Sequence, residues 1–275
     1  MSSDKELAYR YDLFIAPDWG ERFDSLIDES IELPTEGRVL EVNCGTGAHA
    51  IELAREMKGK GSVVATDSSH GRIELARAKA QVKKVTDVEF EEARATSLPF
   101  RSDDFDAVIG DASLMRAHQI EPVLSEMLRV ARPGGRVILK LTTRGSFGEF
   151  FSIYWEALHD AGLIEEVLPE LEKLINERST VSEVEDMAER LGLRDVESFS
   201  TKEEFFYETG TDFITSPLIQ DSFLSEWLAI VPAERREEVR DRIISLIESE
   251  RHNAPFDISV KATLIAGVKS SVAAS

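Results

Sequence analysis

The run Val39-Leu40-Glu41-Val42-Asn43-Cys44-Gly45-Thr46-Gly47-Ala48-His49 holds the residues best suited to chemistry in this 275-residue chain. Its apolar start reads as a strand and its end as a helix. The glycines between let the backbone approach a ligand closely, and the helix start offers unpaired N–H groups. Gly45, Gly47 and Ala50 also satisfy the G-x-G-x-x-A spacing of a dinucleotide site, so the turn alone leaves a nicotinamide cofactor open. Two carboxylates sharpen the reading. Asp67 ends the next apolar run, at a spacing where an acid can grip both hydroxyls of a ribose, through charge-assisted bonds of about 1.5–3 kcal/mol each. Glu41 ends the first run beside the glycines. There it favours a ligand that carries positive charge and repels a pyrophosphate.

The elements that must position these groups alternate in type. Strands are predicted at 38–42, 62–66, 88–91, 105–109 and 136–141, and helices at 48–57, 69–84 and 120–131, the second capped by Ser68 or Ser69. Arg132-Pro133-Gly134-Gly135 stops the third. That alternation argues for βαβ units and a parallel sheet covered on both faces. The second half reads differently, with helices at 147–161, 164–176, 181–191, 222–230 and 233–251 and β-rich runs at 194–207 and 256–268. No Gly/Ser- or Pro-rich linker divides the chain, which reads as one domain with helical insertions.

Glu41-Val42-Asn43-Cys44-Gly45-Thr46-Gly47 resembles the first motif of class I S-adenosylmethionine-dependent methyltransferases, and Ala65-Thr66-Asp67 their ribose-binding strand end. Ala95-Thr96-Ser97-Leu98-Pro99-Phe100, then Phe105-Asp106-Ala107-Val108, resembles the A-x-x-L-P-F … F-D-x-V stretch of the small-molecule branch with type 11/25-like domains. Leu128 to Arg136 resembles the R-V-L-x-P-G-G turn. Together these cover about residues 36–142. The resemblance implies a doubly wound, mostly parallel seven-stranded α/β sheet with strand seven antiparallel, beside strand six. It implies an N-terminal helical lid over 1–35 and a catalytic domain over 36–275, with insertions at about 164–192 and 210–252. The implied cofactor is S-adenosyl-L-methionine, held by Glu41, Asn43, Gly45, Thr46, Gly47, Asp67, Ser68, Arg94, Ala95 and Asp111, with no metal. The implied reaction moves a methyl group to O, N or C of a small molecule; the alternative is a catalytically silent S-adenosylmethionine binder, a sensor or partner subunit. Two positions depart from the family. Asn43 stands where glycine is usual, a tolerable change because Asn adopts left-handed backbone more readily than other side chains. Arg94 stands where an Asp often accepts the adenine amino group, so it stacks on the ring or turns to solvent while the Ala95 N–H reads the base.

No general base is assigned. Asp111 and His118, both after the fourth strand, are the candidates, Asp111 against the plainer role of a helix cap. Cys44 and His49 read as turn and packing residues. Tyr9, Tyr11, Phe14 and Trp19 form a lid or the face of a packed helix; Phe205, Phe206, Tyr207, Phe213 and Phe223 line an acceptor pocket or a core. Composition narrows the partners. With 32 Lys and Arg against 52 Asp and Glu, the formal charge of −20 repels nucleic acid at long range. One cysteine excludes an internal disulfide. No apolar run reaches the ~18 residues of a spanning helix, and the polar first ten residues lack a signal sequence, so a cytoplasmic protein with no membrane partner is expected. Oligomeric state leaves no trace in the sequence.

Overall fold

In the computed structural model, residues 3–250 and 255–271 are described, so Arg251, where the last predicted helix ends, lies outside them. Strands β1 (Gly37–Val42), β2 (Gly61–Asp67), β3 (Val88–Glu92), β4 (Phe105–Ala112), β5 (Ala131–Thr142), β6 (Leu193–Tyr207) and β7 (Phe256–Lys269) form one sheet in the order β3-β2-β1-β4-β5-β7-β6. The first five pair in parallel, and β7 runs antiparallel to β5. At the outer edge, Ser270 N–H bonds to Gly192 O and the Ser200 hydroxyl meets that of Thr263, so pairing runs in opposite senses there too. This is the expected seven-stranded topology. Among the strands the largest boundary difference is at β5, which begins at Ala131, directly off the preceding helix, where the sequence places it at Arg136; β4 runs on to Ala112, and the helix expected over 222–230 is broken into short pieces. Gly134, at φ 78°, and a register shift between Phe105 and Ala107 bend β5 without ending its pairing.

The chain forms two compact units. Among the described residues, the first takes those within 1–142, 180–201 and 262–275, and the second those within 143–179 and 202–261. In the first, helices α1 (Asp4–Arg10), α2 (Glu21–Ser30), α3 (Ala48–Glu56), α4 (His70–Lys83) and α5 (Ala117–Val130) accompany β1–β5. The second opens with α6 (Gly148–Asp160) and α7 (Ile164–Ile175), while α8 (Val181–Arg190) belongs to the first. Between α1 and α2 the chain widens into a π-helical stretch, Tyr11–Gly20, with the Glu21 N–H reaching back to Ala16 O. Pro17 lies inside it and has no N–H to give.

Alternation along the strands decides where polar groups can go. Leu40, Val42, Val64, Val108, Val137, Leu139 and Leu141 share one apolar cluster with α5 and with Val184 and Ala188 of α8. Side chains one residue out of phase must face the other way. Registers Glu41↔Ala65, Glu41↔Ile109 and Asp111↔Lys140 therefore set Glu41, Asp67, Asp111 and Lys140 on the opposite face, toward the carboxyl ends of the parallel strands, the place where open α/β sheets take ligands. Truncating the apolar side tests this arrangement: Leu139→Ala, in a fully buried position, is expected to lower unfolding stability in urea by about 2–5 kcal/mol. A loss below about 1 kcal/mol, the scale of a surface change, would contradict the placement.

Candidate functional site

The glycine turn has the conformation its residues demand. Asn43, Gly45 and Gly47 all have positive φ (59°, 58° and 74°), so Asn43 holds the left-handed position the sequence left to it. Its amide donates to Asp111 O at 2.8 Å, tying the turn to the end of β4. A side chain on Gly47 would meet the Phe90 ring at 2.5 Å, and one on Gly45 would meet the Tyr11 ring at 2.6 Å. Gly47 thus serves the packing of α4 and β3, whereas Gly45 lets the Tyr11 ring of the N-terminal segment lie directly on the turn. Asp67, almost fully buried, accepts the Gly45 N–H at 3.0 Å and the Ser69 N–H at 2.9 Å, with Arg72 at 3.6 Å. Burial raises its pKa against those stabilising partners. Each oxygen has a second lone pair for a hydroxyl donor.

Beside the turn lies a cluster of buried charge. Lys140, 3% exposed, reaches Asp24 at 2.7 Å and Asp111 at 3.3 Å. Burial would neutralise it, but Asp24, Asp111 and Glu41 hold its pKa well above the usual lysine value. Burial likewise opposes the charge on His49, and Glu41, 3.2 Å away, together with Asp24 pushes its pKa up to about 9. Three carboxylates against two cations leave one net negative charge. Glu41 Oε2 and His49 Nδ1 face each other without hydrogen-bond geometry, and neither has a hydrogen-bond partner among the described residues. A cavity of about 170 Å³ is walled by Glu41, Asn43, Cys44, Thr46, His49, Asp111 and Lys140, with Tyr11, Asp12 and Asp24 from the N-terminal segment.

That segment is pinned by side chains along its length. Asp4 accepts the Ser69 hydroxyl and the Gly71 N–H at the start of α4. Asp12 takes Lys79 and the Thr46 hydroxyl. Tyr11 lies under the Arg72 guanidinium at 4.0 Å, and Trp19, buried, donates to the Ser113 hydroxyl at 2.8 Å. Of the four aromatic residues singled out there, Tyr11 lines the cavity, Trp19 is buried against Ser113, and Tyr9 and Phe14 are exposed.

Of the predicted site residues, Glu41, Asn43, Thr46 and Asp111 line the cavity, with Gly45, Gly47 and Asp67 framing the turn beside it. Ser68 is exposed and α4 is capped by Ser69 instead. Arg94 is exposed on a tight turn closed by the Ser97 N–H to its carbonyl, next to buried Ala95. His118 is exposed in the first turn of α5 and lines no part of the cavity. Burial and the nearby Glu41 and Asp67 hold the Cys44 thiol protonated, well above its usual pKa. Sequence reasoning missed Lys140 and Asp24 and gave His49 a packing role. A lysine inside the apolar run Val137–Leu141 was the available signal. Phe213 and Phe223 are buried in the aromatic core of the second unit and Phe205 is buried in β6, while Phe206 is exposed. Among the described residues no group of three or more His, Cys, Asp or Glu can hold a metal, and no helix is long and apolar enough to cross a membrane.

A family profile described as a methyltransferase domain matches residues 34–189. Demethylmenaquinone methyltransferase of Lactococcus lactis is 31% identical over 121 residues, which are 43% of this chain and 48% of that protein. The chain thus spans about half the length of the curated relatives it matches. Among solved structures, the YcgJ protein of Bacillus subtilis aligns with a TM-score of 0.59 at 20% identity, over 92% of this chain and 100% of that one. Phosphoethanolamine N-methyltransferase 2 of Haemonchus contortus, solved in complex with S-adenosyl-L-methionine, aligns with a TM-score of 0.59 at 16% identity, over 98% and 58%. At such identities the structures speak for the fold alone.

The His49–Glu41 pair makes stability depend on pH with a definite sign. A pKa raised from 6.5 to about 9 on folding stabilises the native state fully below pH 6.5 and not at all above about 9, a span on the order of 3 kcal/mol. Denaturation midpoints should fall across that window and stay flatter in His49→Gln. Identical slopes would show that His49 is not held protonated.

Proposed function

The chain belongs to the methyltransferase-domain family, and on that footing we propose that it transfers a methyl group from S-adenosyl-L-methionine to O, N or C of a small-molecule acceptor. The observation that carries the reading is Glu41 Oε2, a buried carboxylate oxygen without a hydrogen-bond partner among the described residues, in a net negative cluster on the cavity wall. His49 lies 3.2 Å from that oxygen without hydrogen-bond geometry, and with Lys140 it still leaves the cluster one negative charge in excess, which a ligand ammonium would meet. Asp67 keeps acceptor capacity for ribose hydroxyls, and the space over Gly45 is filled by the Tyr11 ring, a side chain that a ligand could displace. The residues fit the group.

When bound, the cofactor supplies a methyl group already activated on a sulfonium, so the protein's task is alignment, a contribution of up to about 7–11 kcal/mol. Glu41 anchors the amino-acid end, and Asn43 and Thr46 shape the turn around it. Asp111 is committed elsewhere: one oxygen takes the N–H and hydroxyl of Ser113 and the other faces Lys140. It orders the end of β4 and holds the lysine in place. The N-terminal segment, residues 4–30, acts as a lid. A 170 Å³ cavity is smaller than the ~300 Å³ at the lower end of ligand pockets, so Tyr11 must swing off Gly45 to admit the nucleoside. The strong negative charge favours a neutral or cationic acceptor over a polyanion.

S-adenosylhomocysteine should raise the melting temperature while NAD leaves it unchanged, and Asp67→Ala should remove most of that shift. An undiminished shift in Asp67→Ala would overturn the ribose assignment. A separate assay of labelled methyl transfer across amines, phenols and quinols should show turnover; binding without turnover would identify a silent binder.

A further inference from the structure

The second unit contains a cation that makes no ion pair among the described residues. Arg178, in the loop between α7 and α8, lies over the buried Phe147 ring at 4.7 Å and near Phe223 at 5.7 Å. Its Nε is enclosed without a partner, and among the described residues the guanidinium makes no hydrogen bond or ion pair. Two aromatic faces attract the charge but supply no acceptor for five N–H donors. Burial lowers its pKa, although arginine keeps its proton in any protein setting. Carboxylates are not scarce, since the chain has 52 of them against 32 Lys and Arg, yet Glu177 and Glu226 act on Arg178 only through space.

The loop that presents Arg178 is also held in place. The Arg144 N–H bonds to Ser179 O, its Nε to Arg178 O and its terminal nitrogen to Asn176 O, so one arginine fixes the backbone that carries the other. With Nε enclosed, the two terminal nitrogens of the guanidinium are the donors that a planar oxyanion would meet side by side, and the loop that carries them is braced. Glu177 and Glu226 penalise a dianion more than a monoanion, which favours carboxylate over phosphate.

We propose that Arg178 is a ligand-binding residue, and that the second unit takes the carboxylate of a small molecule on its guanidinium. The proposal does not rest on the cofactor reading and stands or falls separately.

The probe is benzoate, with inorganic phosphate as the competing arm, both added to the full chain at constant ionic strength. Benzoate should give a saturable rise in melting temperature, larger than that from phosphate, and Arg178→Met should abolish it. Because a buried charge without a counter-ion is removed, Arg178→Met without probe should melt at or above the wild-type temperature; a residue kept only to brace the two rings would melt lower when replaced. A wild type that ignores benzoate, or an Arg178→Met protein that keeps the response, overturns the proposal whatever the variant's own stability. A larger response to phosphate than to benzoate overturns the carboxylate assignment.

Discussion

A buried lysine governs the layout of the first unit. Lys140 is almost sealed from solvent, and an ammonium in that setting persists only with carboxylates around it. Asp111 arrives from the neighbouring strand because the parallel register sets the two side by side. Asp24 arrives from α2, so the charge that would otherwise break the core ties the N-terminal segment to the sheet. The glycine turn, the end of β4 and the segment 4–30 thereby meet around one cation.

The same cluster makes the cavity wall net negative. His49 and Lys140 neutralise only part of Glu41, Asp24 and Asp111, and the remaining negative charge is exposed to the cavity. In a low-dielectric wall such a charge acts more strongly than on the surface. Asp67, one strand over, is raised in pKa by burial and gains from any further donor. Both features are costs that a cationic nucleoside, on the proposed reading, would relieve.

How much of this could be read in advance follows from locality. The turn at 43–47 and the strand ends at Glu41 and Asp67 are set by neighbours in sequence, and their spacing gave them away. The order of elements followed from hydrophobic alternation, which the helices and strands obey closely. Lys140, Asp24 and His49 meet only through strand register and helix docking, which a single sequence does not display. The π-helical stretch was hidden too, because its apolar residues keep no α-helical period and Pro17 suggests a break. Ser68 was carried over by resemblance and is exposed, while Arg94, a departure from the family pattern, takes the solvent-facing one of its two alternatives. The second unit lacks recognisable motifs: its aromatic residues serve packing, and Arg178 became visible only through the partner it lacks.

The central claim is that the carboxylate of Glu41 recognises positive charge on the cofactor. Calorimetric titration of S-adenosylmethionine into wild type and Glu41→Gln, with folding of each checked by circular dichroism, measures that directly. Loss of a buried charge-assisted bond of about 1.5–3 kcal/mol predicts a dissociation constant at least about tenfold weaker in the variant. An equal dissociation constant in a folded variant would contradict the account.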